Sequence, residues 1–362
     1  MAKQPIHVGW AARVGAGAGS ETQPWLRPDL YGELIGMIER AGVDFILVSE
    51  AQRPTLSPVI LAGAWSAKTR TIGIVPEMLT TDYPPFKLAR LIGTLNHVTE
   101  GRIGWAMDTS LTQSGAHNYG FEGPPPAELR HVIAAEYVEV CNKLFDSWAP
   151  DALVESPEAG IFADPPKVRP IHHAGKYFKV RGPLNIMTAP HGTPLLVQTV
   201  RTDEEIRFAG QYADLAIVAG RTVDDVSRAR KQLEAAATAA GRTADAVKVY
   251  FTVSIRAGET PEAIAAWQRP SGGGIDLSGS VEAVASQLED TFDAAQCDGV
   301  VVQGSWVATE INVICNNVLA TLRRRGRIAL PNPALSLRRR LLGANLAQIE
   351  SAAPQRQGSL RA

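Results

Sequence analysis

The side chains able to do chemistry in this chain stand at the ends of short apolar runs. Ser49 and Glu50 close one run, and Glu77 and Thr81 follow the next. Asp108, Thr109 and Ser110 close another, and Gln198, Arg201 and Thr202 close or follow a fourth. These are hydrogen-bond donors and acceptors, with few strong nucleophiles among them. No HExxH helix, paired-histidine zinc spacing, GxSxG turn or phosphate-binding GxxxxGK loop accompanies them, and no metal site is expected. Glu50, Glu77 and Asp108 offer carboxylates for acid–base work, though carboxylates in such places also serve to orient neighbours. Many polar groups of low intrinsic reactivity suit a site whose bound cofactor supplies the chemistry. Two histidines join them: His117 in the loop after Asp108, and His131 on the helix that follows. Either is a surface residue or a group that holds or protonates an oxygen, with an ordinary pKa near ~6.5 suited to that role. His97, between apolar residues, reads as structural.

Eight apolar runs must position these groups: Pro5–Trp10, Asp44–Ser49, Thr71–Val75, Arg102–Met107, Pro194–Gln198, Asp214–Val218, Val247–Ile255 and Asp298–Gln303. They are rich in Val and Ile, and segments such as Leu195–Val197 and Val300–Val302 lack polar alternation, as strands buried on both faces do. Each run is followed by a helix-patterned stretch, for example Pro28–Ala41, Pro85–Val98, Asp203–Tyr212 and Val223–Ala240. The expected fold class is α/β, a (β/α)8 TIM-type barrel with long insertions after strand four and before strand five. In such a barrel the strand exits share one mouth, where the chemistry sits.

The insertions, residues 108–126 and 149–190, are too long to be spacers and are expected to act as lids. Within the second, Val168–His172 and Lys176–Val180 read as a hairpin around Ala174–Gly175. Residues 1–335 are expected to form one barrel domain. Residues 336–362 form a basic tail that docks as a helix through Leu341, Leu342, Leu346 and Ile349.

The chain has 362 residues, 45% of them hydrophobic, enough for a large core. A formal net charge of −1 gives no electrostatic case for nucleic acid or a membrane surface as partner. Cys141, Cys297 and Cys315 have no CxxC spacing and read as small buried residues. The start MAKQPIHVGW lacks a signal-peptide core and no apolar run reaches ~18 residues, so a cytoplasmic protein is expected.

Several segments resemble one family. They are Thr80–Pro84, Lys87–Arg90, Thr94–Val98, Gly101–Trp105 leading to Thr109–Ser110, Asn118–Gly120, Phe145–Trp148, His173–Gly175, Arg181–Asn185 and Pro194–Gln198. Together they are similar to the flavin-dependent monooxygenases of the bacterial luciferase-like superfamily, nearest the nitrilotriacetate, dibenzothiophene-sulfone and pristinamycin monooxygenase group. The resemblance implies a barrel that binds reduced FMN supplied by a separate NAD(P)H:flavin reductase. With O2, such an enzyme oxygenates a hydrophobic small molecule, which requires a dry, polar-lined pocket.

By position, Ser49, Glu50, Thr81, Thr109 and Ser110 would face the flavin ring, Gln198 its edge, and Arg201 and Thr202 the phosphate. Asp108, His117 and His131 would serve catalysis. After Gln198 the family shows Ala-Gly and serines, whereas this chain has Thr199, Val200, Arg201 and Thr202. Arg201 either replaces the lost phosphate donors or points to solvent. A family tyrosine appears here as His131. A homodimer is expected through the helices bearing Leu61–Trp65 and Leu88–Leu95. Two alternatives stay open: a deazaflavin (F420)-dependent oxidoreductase on the same barrel, and a non-catalytic flavin- or ligand-binding barrel or partner subunit.

Overall fold

The structure, a computed structural model, describes residues 3–14, 28–50, 56–80, 83–110, 113–118, 120–267, 273–304 and 306–343. The eight expected runs all form parallel strands: β1 (His7–Val14), β2 (Phe45–Glu50), β3 (Gly73–Leu79), β4 (Gly104–Asp108), β9 (Leu195–Val200), β10 (Leu215–Val218), β11 (Lys248–Ala257) and β13 (Gly299–Gly304). They pair in that order, β10 to β11 and β13 to β1, so the ring closes. This is the expected TIM-type barrel. A further parallel strand, β12 (Ile275–Gly279), was not anticipated. The ten-residue β11 outruns the ring, and its last four residues, 254–257, pair with β12 alone.

Strand alternation divides the side chains into two cores. Ile46, Val48, Trp105, Met107, Leu196 and Val218 face outward into the layer beneath the helices. Phe45, Leu47, Val75, Ala106, Val197 and Val301 fill the barrel interior. The covering helices are α1 (Pro28–Arg40), α2 (Pro58–Ser66), α3 (Pro85–Val98), α5 (Ala127–Phe145), α6 (Asp203–Tyr212), α7 (Val223–Ala239) and α9 (Val281–Ala295). Short helices α4 (Gln113–Asn118) and α8 (Pro261–Ala265) lie between them. The last expected helix is broken into α10 (Ala308–Val313), a π-helical turn over Ile314–Leu319, and α11 (Ala320–Arg324).

Part of the apolar faces expected to pair two copies is buried inside the chain, while Ile60 stays exposed. Leu61, Trp65 and Leu88 are buried against the barrel within the chain itself. Among the described residues, no helix is long and apolar enough to cross a membrane.

Helix α12 (Leu337–Leu342) closes the barrel floor. Leu337, Leu341 and Leu342 join the interior core, and Leu337 sits where a side chain on Gly73 would otherwise stand. Arg338 donates to both oxygens of Asp214, at 3.1 and 3.0 Å. Leu341 and Leu342 dock as expected, while Leu346 and Ile349 lie outside the described residues.

The segment 149–190 holds two hairpins. β5 (Leu153–Ser156) with β6 (Ile161–Ala163) was not expected, and β7 (His173–Ala174) with β8 (Lys179–Val180) replaces the expected pairing: β8 lies within Lys176–Val180, but β7 follows Val168–His172 and the turn moves to residues 175–178. Hydrogen bonds fasten this segment to the helices. Glu136 on α5 accepts from the backbone N–H groups of Tyr177 and Phe178, and His173 Nε2 lies 3.2 Å from it. Trp148 Nε1 donates to Leu184 O, Leu184 N donates to Ser147 Oγ, and His97 on α3 meets Met187 O at 2.8 Å. These bonds run to the outer helical layer, whereas a lid would reach the strand exits.

Candidate active site at the strand exits

The same alternation sorts the candidate residues into two groups. Ser49 follows Leu47 by two positions, Glu77 follows Val75, Asp108 follows Ala106, and Thr199 follows Val197, so these four continue the interior rows upward. Thr109 and Gln198 take the opposite phase, toward the helices. The candidates therefore do not converge as one set. Ser49 and Asp108 look into the barrel mouth, while Thr109 and Gln198 sit between β4, β9 and the helices behind them. Glu50 ends β2, but its side chain, like the whole of Thr81, lies outside the described residues.

Three small clusters result. In the first, Asp108 Oδ1 accepts the backbone N–H of Ser110 at 2.8 Å, and Asp108 O accepts from Thr80 N at 2.9 Å. This carboxylate braces the turn leaving β4, and Ser110 is exposed.

In the second, Thr109 Oγ1 lies 3.4 Å from His131 Nε2. Thr109 is 9% exposed, and the His131 ring packs on Phe208 of α6 at a centroid distance of 5.8 Å. Burial lowers the His131 pKa from its ordinary value, against the opposing pull of Glu205 and Glu204. The imidazole is therefore neutral at pH 7, with one nitrogen free to accept a proton. His117 is not part of this cluster. It is exposed on α4, with Nε2 3.1 Å from Glu122 O in its own loop.

The third cluster is the start of α6. Thr202 and Glu205 form a reciprocal capping box, and Glu205 also takes the N–H of Arg201 at 2.6 Å. The Arg201 side chain is 56% exposed, its nearest carboxylate contact being Glu205 at 3.8 Å. Of the two sequence readings for Arg201, the structure has it largely solvated. Gln198 is buried, its Nε2 donates to Thr199 O, and its Oε1 has no partner among the described residues.

Sequence reasoning passed over Glu205, Phe208, Thr252 and Gln303. Thr252 Oγ1 and Gln303 Nε2 both donate to Gly273 O, tying β11 and β13 to the residues before β12. Strand period would have found the last two, since each continues an interior row. Glu205 was hidden because a Thr-x-x-Glu start reads as an ordinary helix cap. The three cysteines are buried and free, and burial raises the thiols of Cys297 and Cys315 to about 12 and that of Cys141 well above the ordinary range, so none is a nucleophile.

The luciferase-like monooxygenase family matches residues 6–296, which run from β1 to α9 and take in every barrel strand but β13. The chain belongs to that family. A dibenzothiophene-sulfone monooxygenase of Rhodococcus erythropolis is 33% identical over 205 residues, covering 57% of this chain and 45% of that one. The match thus spans less than half of that relative's length. A dimethyl-sulfide monooxygenase of Hyphomicrobium sulfonivorans is 26% identical over 394 residues, covering 90% of this chain and 82% of that one. In fold, a long-chain alkane monooxygenase superposes with a TM-score of 0.87 at 22% identity, covering 96% of this chain and 97% of the other.

Proposed function

We propose that this luciferase-like protein is the oxygenase component of a two-component monooxygenase. It takes reduced flavin from a separate NAD(P)H:flavin reductase and uses O2 to oxygenate a hydrophobic small molecule. The observation that carries this reading is the rim formed by Ser49, Glu77, Asp108 and Thr199 above an apolar interior, with the neutral Thr109–His131 pair beside it. Reduced flavin, when bound, supplies the reactivity toward O2 that these side chains lack.

The residues present fit the ring end of FMN. The rim of Ser49, Glu77, Asp108 and Thr199 offers donors and acceptors, while Gln198 Oε1, a buried acceptor with no partner among the described residues, lies on the helical side of β9. The residues do not fit the phosphate end, because the backbone N–H groups of Arg201 and Thr202 are already taken by Glu205 and the first turn of α6 is acidic. The chain's own groups would orient the ring, exclude water and hold a proton at His131 Nε2. The segment 108–126 remains our candidate lid, since it leaves β4 beside that pair. A cytoplasmic homodimer belongs to the same proposal.

The test is anaerobic equilibrium binding of reduced flavin and of reduced F420, followed by oxygen uptake with a flavin reductase and candidate thioether, sulfone and alkane substrates. Flavin binding with substrate-coupled oxygen consumption is the expected result. Tight F420 binding without oxygen consumption would replace it with hydride transfer. Retention of neither cofactor would leave a non-catalytic barrel.

A further inference from the structure

The start of α6 carries its own anion. Glu205 Oε2 accepts the backbone N–H of Arg201 at 2.6 Å and that of Thr202 at 3.1 Å, while Thr202 Oγ1 accepts the N–H of Glu205 at 3.2 Å. The N–H groups around a helix start lack intrahelical partners and are the natural donors to a phosphate. Here the N–H groups of Arg201 and Thr202, just before and at the cap, are bonded to a carboxylate from the same turn, and that of Glu205 is bonded to Thr202. The Glu205 side chain is 17% exposed, so the carboxylate is folded into the turn and out of water.

Two further observations point the same way. Asp203 and Glu204 complete an acidic first turn, which any approaching dianion would meet as like charge. β9 stays extended to Val200, and none of residues 198–202 has a positive φ, so no glycine-like cradle opens beside the turn.

We infer that Glu205 takes the place of the cofactor's phosphate. The protein then holds flavin by its ring and does not distinguish FMN from riboflavin. This rests on the flavin reading above.

A capping box also stabilises a helix start whatever its neighbour binds. The barrel contains a control for that plain role. At α7, Asp225 accepts from the N–H groups of Arg221 and Thr222, and Thr222 Oγ1 accepts from Asp225 N. The two starts share one construction, but only that of α6 adjoins the Thr109–His131 cluster.

The experiment is anaerobic titration of the full chain with dithionite-reduced FMN and, separately, reduced riboflavin. Wild type is compared with Glu205→Gly, Glu205→Gln and Asp225→Gly, each checked for folding by circular dichroism. Wild type should bind the two flavins within ~3-fold of each other. Glu205→Gly should tighten FMN by ~10-fold or more, because two backbone donors are freed for charge-assisted bonds, and should leave riboflavin unchanged. Glu205→Gln, which keeps the cap without the charge, should fall between them. Asp225→Gly should cost thermal stability and leave the ratio alone. A wild type that binds FMN ~10-fold tighter than riboflavin overturns the inference and leaves the flavin reading standing. An unchanged ratio in folded Glu205→Gly overturns it as well. Binding of neither flavin by any variant removes both.

Discussion

Thr109 Oγ1 and His131 Nε2 stand 3.4 Å apart where β4 meets α5 and α6. The pair joins a strand exit to a helix that begins 18 residues after Thr109. Phe208 covers the other side of the ring, so burial keeps the imidazole neutral while Glu204 and Glu205 draw it toward the charged form.

That balance sets a pH dependence. The His131 pKa is lowered in the folded state, so the unfolded chain takes up its proton first as pH falls. The stability this residue contributes is present above the ordinary value of ~6.5 and is lost as pH falls through that value toward the lower folded one. Urea unfolding at pH 7.5 and 5.5 should show a larger loss for wild type than for His131→Gln; parallel losses would refute the assignment. His131→Ala should also slow substrate-coupled oxygen uptake by ~10²-fold, the lower end of what a positioned acid–base group contributes.

The floor of the barrel depends on a buried ion pair. The side chains of Arg338 and Asp214 are 10% and 6% exposed, and Asp214 also accepts the N–H of Leu196. Arg338→Met strands a carboxylate in the interior and should cost about 3–5 kcal/mol. The double variant Arg338→Met/Asp214→Asn should recover much of that. Burial alone would raise the Asp214 pKa, but Arg338, the Leu196 N–H and Arg242 together more than offset it and the net shift is downward. Its contribution is therefore present above the unfolded value of ~3.9 and lost as pH falls through the folded one. Thermal unfolding of the three proteins checks the order; equal midpoints would show that the tail does not hold the floor.

Glu136 fastens the β7–β8 hairpin to α5. Glu136→Ala removes the acceptor for the N–H groups of Tyr177 and Phe178 and should cost about 1–3 kcal/mol. The loss should be local, with faster amide exchange at residues 173–180 and little change in the barrel strands. Unchanged exchange in the hairpin would mean that the contacts of Phe178 and Leu184 suffice.

Gly304 lies against the indole of Trp10, which would collide with any side chain placed there. Trp10 is wholly buried and has no room to yield, so Gly304→Ala should destabilise the barrel by about 1–3 kcal/mol. A melting temperature equal to that of wild type would contradict this packing.

The eight strands and most of their covering helices were legible in the sequence, because both are written in local periodicity. Leu195–Val197 and Val300–Val302 have no polar face, and Pro85 begins α3 at the residue that its fixed φ favours. Closure follows from eight such units in one chain. The family resemblance could likewise be read from short contiguous segments. What could not be read was which way a residue at the end of a strand points, since a single position exchanges barrel interior for helical layer. Asp108 and Thr109 are neighbours in the chain and belong to different clusters in the fold.

Tertiary structure alone decided the rest. It buried Leu61, Trp65 and Leu88 in the core, drew residues 149–190 along α3 and α5, and brought Arg338 to Asp214 across 124 residues. It also folded Glu205 back onto the amides of Arg201 and Thr202. Periodicity records which residues avoid water, and so it fixes the elements and their order. Which donor a carboxylate satisfies depends on the three-dimensional competition for hydrogen bonds, and that is settled only once the backbone around it is in place.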